Sequence, residues 1–164
     1  MTTIKIIIVI SIFTLIGCEQ TELKSSFIDN INKGDTLTLS ARFADCGEWG
    51  GHIEKIQITK VDNKLDAIFY KDTVSCETDP NLTRKKTIEI SEPLSIAYKN
   101  CIVKYIDSLL VRSNRNIRSI GGNSSNIYEL ISKDKTYRYL DFEQDWQGFT
   151  EMRNEIFTEY KANR

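Results

Sequence analysis

The chain has 164 residues but only two prolines and eight glycines, which excludes collagen-like and low-complexity sequences. No charge sign dominates: 22 Lys and Arg stand against 23 Asp and Glu, a formal charge of −1. That balance excludes a generically basic nucleic-acid binder and a strongly acidic tail protein. Motifs of common chemistries are missing as well: there is no P-loop, G-x-S-x-G, H-E-x-x-H, dinucleotide fingerprint or EF-hand loop. What is present is an apolar share of 40% with 10% aromatics, enough to exclude wholesale disorder. The length suits one domain and leaves little room for a second full core.

The N-terminus reads MTTIKIIIVISIFTLIGC. A short segment ending at Lys5 precedes an apolar stretch of about 11 residues, too short for a bilayer core of ~30 Å but of the length of a secretory leader. Leu15-Ile16-Gly17-Cys18, with a small residue before the cysteine, resembles the lipobox of bacterial lipoproteins. The resemblance covers about 18 residues. It implies cleavage before Cys18, lipidation of Cys18 and retention at a membrane, since two or three acyl chains anchor stably at ~0.8 kcal/mol per buried methylene. Glu19 stands where an aspartate would retain such a protein at the inner membrane of enteric bacteria, so in a Gram-negative source the outer membrane is favoured. Removing 1–17 takes one lysine, Lys5, and no acid, leaving 21 against 23. The expected organisation is a signal peptide (1–17), a lipidated cysteine with a polar tether (18–34), and one globular domain (35–164).

Within the domain, 36–46 alternates, with Leu37, Leu39, Ala41 and Phe43 on one face and Thr36, Thr38, Ser40 and Arg42 on the other: a half-buried strand. Strands follow at 53–60 and 65–74, with the turn Asp62-Asn63-Lys64 between them, and a short one at 87–90. Ser91-Glu92-Pro93 reads as a helix start with Ser91 as N-cap. Leu94, Ala97, Cys101, Ile102, Tyr105, Ile106 and Leu109 then recur at helical spacing as far as about Arg112. A hairpin at 127–132 and 136–142 and a helix capped by Asp145, with Trp146, Phe149, Met152, Ile156, Phe157 and Tyr160 on its apolar side, complete the chain. The order β-β-β-β-α-β-β-α predicts an α+β fold: a mainly antiparallel sheet of about six strands with two amphipathic helices on one face.

With Cys18 lipidated, Cys46, Cys76 and Cys101 remain, an odd number that allows one bridge in an exported protein. Cys46 and Cys76 end the first and third strands at the same end of the meander, so they are the expected pair. Such a bridge contributes ~3–4 kcal/mol by closing a loop of about 30 residues. Alternation puts Cys46 on the polar face, so the pairing needs a bulge or twist. Cys101 falls on the apolar side of its helix and reads as a small buried hydrophobe.

The densest chemistry is Asp45, Cys46, Glu48, Trp49, His52 and Glu54, around three glycines and the one histidine. A metal site there would lack the paired spacings of zinc centres. A Cys46–His52 nucleophile pair would lack a third member and would need a reduced thiol. A binding surface would use Trp49 flanked by Glu48 and His52. The plainest reading is structural, with glycines for the turn, Trp49 as a cover and His52 bonded locally. Arg112, Arg115 and Arg118 form a second candidate, an anion grip or a solvated helix end. Asn81-Leu82-Thr83 and Asn123-Ser124-Ser125 match the N-glycosylation pattern, which has little meaning in most bacteria. Asp35-Thr36-Leu37, Asp72-Thr73-Val74 and Asp107-Ser108-Leu109 resemble a short O-glycosylation acceptor of Bacteroidetes, whose small lipoproteins the chain resembles in leader and composition.

The expectation is a lipid-anchored protein of the bacterial envelope, acting without cofactor or metal as a non-enzymatic binding module. Its partner would be an envelope protein or a glycan and not a nucleic acid, and one version is an inhibitor or immunity-type protein with the 46–52 turn as a plug. The alternative is a small metal-dependent or thiol enzyme centred on Cys46, Glu48 and His52.

Overall fold

The computed structural model describes residues 28–46, 51–74, 85–115, 125–158 and 160; the side chains of 73, 85–87 and 115 fall outside the description. Six strands, β1 (Thr36–Arg42), β2 (Ile53–Val61), β3 (Lys64–Thr73), β4 (Lys85–Pro93), β5 (Asn126–Ile131) and β6 (Thr136–Asp141), form one sheet in the order β4-β3-β2-β1-β5-β6. Every pairing is antiparallel. Two helices, α1 (Ile96–Arg115) and α2 (Gly148–Ile156), complete the α+β fold in the order expected from the sequence. No helix among the described residues is long and apolar enough to cross a membrane.

The core follows from strand parity. Leu37, Leu39 and Ala41 of β1, Ile56 and Ile58 of β2, Leu65, Ala67 and Phe69 of β3, and Tyr128 and Leu130 of β5 are buried in a single cluster. Ile102, Tyr105, Ile106 and Leu109 of α1 join it, with Phe149, Met152 and Ile156 of α2 and with Phe157 and Tyr160 beyond. The β2–β3 turn sits on Asp62 and Asn63, both at positive φ (46° and 64°). That is the two-residue hairpin geometry which short polar side chains tolerate.

Three local expectations change. The stretch Ser91-Glu92-Pro93 continues β4, pairing with Ile68, Ala67 and Asp66 of β3. Proline is accommodated because β4 is an edge strand and Pro93 is its last residue. The N-cap is instead Ser95, whose Oγ accepts the Tyr98 N–H at 3.2 Å. Asp145 does not cap α2: the helix begins at Gly148 with Gln147 at the cap and no side-chain cap bond. The acid that organises this loop is Asp141, whose buried carboxylate accepts the Trp146 N–H at 3.0 Å. Cys101 is only half-buried, and its thiol donates to Glu155 on α2 at 3.3 Å.

At the N-terminal side, Ile28 is fully enclosed in the core and Asp29 pairs with Lys99 of α1. The packed unit therefore begins at Ile28, seven residues before the start read from the strand pattern.

Candidate functional site

One end of the sheet gathers the polar chemistry. The inward row across it is Ile88, Lys71, Glu54, Ala41, Tyr128 and Tyr139, each opposite the next. Glu54 thus occupies a core position on β2, in phase with Ile56 and Ile58, and is 0% exposed. A bare carboxylate there would cost several kcal/mol, so its partners decide the local structure. Glu54 Oε2 pairs with Arg153 Nη1 of α2, which is itself 1% exposed. Oε1 receives Lys71 Nζ at 3.3 Å and faces His52 Nε2 at 3.2 Å. Burial by itself pushes the Glu54 carboxyl upward. The His52 hydrogen bond, the Arg153 charge and hydrogen bond, and the Lys71 charge outweigh it and bring the group down to about 2.

The partners are held in turn. Asn154 Oδ1 accepts from Arg153 Nε and Nη2 at 3.2 and 3.0 Å. The guanidinium lies 5.0 Å from the Tyr160 ring centroid and 6.0 Å from that of Phe69. Lys71 Nζ donates to Tyr160 Oη at 3.3 Å.

His52 closes the outer edge. Its Nδ1 meets Asp45 and its Nε2 meets Glu54, so both nitrogens donate only when the ring carries both protons. The imidazole stacks on Phe43, with centroids 4.6 Å apart and planes 13° apart. The backbone is drawn together there as well, Phe43 N–H donating to His52 O at 3.0 Å. Gly51 is what allows it: a methyl group at that position would overlap the Phe43 carbonyl oxygen and lie 2.6 Å from the Asp45 nitrogen.

Of the residues singled out by sequence, His52, Asp45 and Glu54 come together as one network. Glu48, Trp49, Cys76, Arg118 and Cys18 lie outside the described residues, as does the Arg115 side chain. Arg112 lies apart from His52. Its guanidinium covers Trp146 and Tyr139 at 5.2 and 5.6 Å from the ring centroids, and Phe43, Tyr128 and Trp146 follow one another between the two candidates. Arg112 therefore fastens α1 to β6 and the following loop, and its planar cation is engaged by the aromatic faces. Lys71 and Arg153 were not singled out, and Tyr160 was read only as apolar. Their signal is phase: each is polar at a position where its strand or helix otherwise points an apolar residue inward.

Among the described residues no group of three or more His, Cys, Asp or Glu side chains is arranged to hold a metal ion. The chemical capacity of the network is to transmit charge and position: it ties the turn after β1, the centre of the sheet and α2 through one carboxylate. No family model matches the chain, and no curated protein or solved structure is found to be similar to it.

The cysteines permit one test. Burial raises the Cys101 thiol to about 12, helped by its hydrogen bond to Glu155 and the charge of that residue. At a given pH near 8 this leaves about a thousandfold less thiolate than in an ordinary cysteine. Cys101 should therefore react slowly in the native protein and promptly after denaturation. With Cys46 and Cys76 bridged, denatured unreduced protein gives a single thiol by aromatic-disulfide titration. Three thiols would remove the bridge, and fast native labelling would remove the Cys101 account.

Proposed function

We propose that the chain is a membrane-anchored lipoprotein of the bacterial envelope, held by acylated Cys18, whose α+β domain works as a non-enzymatic binding module. The observation that carries the non-enzymatic part is the enclosure of Glu54. The carboxylate is fully buried and engaged on both oxygens, and the one histidine is engaged on both nitrogens. These groups work on the fold, and a reacting substrate would have to displace an internal partner to use them.

Direction supports the binding reading. The chain reaches the sheet from Ile28 and enters β1 at Thr36; β1 then runs its seven residues, about 20 Å, to Arg42. The 46–52 turn follows at that far end, opposite the tether. A domain held at Cys18 would present this turn away from the lipid, with a connecting segment of nine residues, 19–27, and a reach of at most about 30 Å. The Cys46–Cys76 bridge belongs to the same proposal. In register, Arg42 faces Ile53 and Ile53 faces Asp72, so each cysteine lies four residues past a strand position in the same row. The inhibitor or immunity-type version would use this end as its contact.

Detergent phase partition tests the anchor. Native protein is expected in the detergent phase, and Cys18→Ala in the aqueous phase with the leader retained. Mass spectrometry of the native form should find an acylated Cys18 as first residue. An unmodified Cys18 with residues 1–17 attached would overturn the reading.

A further inference from the structure

The helices cover one face of the sheet, and the opposite face carries a hollow of about 250 Å³ lined by Ile53, Lys55, Gln57, Tyr70 and Asp72. Register builds it: Lys55 stands opposite Tyr70, Ile53 opposite Asp72, and Gln57 one rung further along the same face. Three features set this hollow apart from an ordinary solvated sheet face.

First, its polar groups are unengaged. No hydrogen bond or ion pair among the described residues occupies the side chains of Lys55, Gln57 or Asp72. On the same face, by contrast, Glu129 is paired with Arg138 across β5 and β6. An ammonium, an amide and a carboxylate thus converge beside one aromatic ring, supplying both donors and acceptors. Second, the pairing of β3 with β4 slips between Lys71 and Asp72, so that Lys71 faces Ile88 and Asp72 faces Lys86. Such a bulge re-aims the side chain beside it and is common next to functional sites. Third, β2 and β3 each have strands on both sides. Their backbone groups are already paired, so a peptide cannot bind here by adding a strand, and a ligand must be held by side chains alone.

We propose that this hollow is a glycan-binding site, taking an uncharged sugar ring of a polysaccharide against Tyr70. Lys55 and Asp72 balance each other in charge, which favours a neutral ligand over an ion. A sugar ring offers an apolar face to the aromatic ring and hydroxyls, each donor and acceptor, to the amide, carboxylate and ammonium. The site is separate from the His52 turn and does not depend on lipidation.

Affinity electrophoresis of the full mature protein in detergent, with dextran, mannan or arabinogalactan in the gel, tests it. At least one of these neutral polysaccharides should retard the protein. Gln57→Ala and Asp72→Asn should each weaken retardation about tenfold with the melting temperature unchanged, and Tyr70→Ala should abolish it. Should Tyr70→Ala unfold, the two polar variants decide. Absence of retardation by all three polysaccharides, retardation indifferent to Gln57→Ala and Asp72→Asn, or retardation by heparin alone would overturn the proposal. The partition result for Cys18 is independent of each of these outcomes.

Discussion

Replacing Arg153 by Met is expected to lower the unfolding free energy by about 3–5 kcal/mol in urea at pH 7, because it strips a fully buried carboxylate of its closest cation. The size of the effect comes from what is left behind. Met fills the space of the alkyl stem, but Glu54 then relies on Lys71 and His52 alone. The double variant Glu54→Gln/Arg153→Met should recover at least half of the loss, since the amide still accepts from Lys71 and His52 and no uncompensated charge remains. A loss below about 1 kcal/mol in the single variant would show that Glu54 does not depend on Arg153. The pH dependence has a definite sign. Glu54 is depressed from 4.5 to about 2 in the folded protein. Its contribution is therefore complete above about 4.5 and is lost as the pH falls toward 2, about 3 kcal/mol over that window. Arg153→Met raises the folded value and moves this acid transition upward. Equilibrium urea curves between pH 2 and 7 check both statements.

The second large effect is expected at Gly51. Gly51→Ala should cost about 3 kcal/mol or more, because the added methyl meets backbone atoms of Phe43 and Asp45, which cannot rotate away as a side chain can. Separating these segments also breaks the Phe43–His52 backbone bond and the ring stack above it. Gly34→Ala is the control. There φ is +93° with no atom within 4 Å, so only dihedral strain is added and the cost should be ~1 kcal/mol. Equal losses at the two glycines would show that close packing at the turn is not what Gly51 provides.

How far the fold was legible depends on which signal each element carried. The strands announced themselves by alternation, and β2 runs from Ile53 to Val61 much as its pattern suggests. The β4–α1 junction was misread because Ser91, an acid and a proline imitate a helix start. Ladder pairing with β3 is a long-range fact that local composition does not carry. Asp145 failed as a cap for a similar reason: Asp141, further from the helix, holds the Trp146 amide and sets where the turn goes. At the candidate site, Asp45, His52 and Glu54 were visible as neighbours in sequence. Lys71, Arg153 and Tyr160 lie 17, 99 and 106 positions away from Glu54. The clue available without coordinates was parity, a charged residue on the apolar phase of β2, another on that of β3 and a third on that of α2. Three such exceptions of compensating sign invite one explanation.

The placement of Arg153 near the end of the chain also bears on when the domain becomes whole. The first three strands are made early and are mutually paired, yet the cation that neutralises their enclosed acid is synthesised after almost everything else. A chain emerging from a ribosome or a translocation pore would carry a half-built interior with an open electrostatic fault until its last dozen residues arrive. Closure of the interior is thereby coupled to completeness, and prematurely terminated copies would be left loosely assembled and exposed to proteolytic clearance.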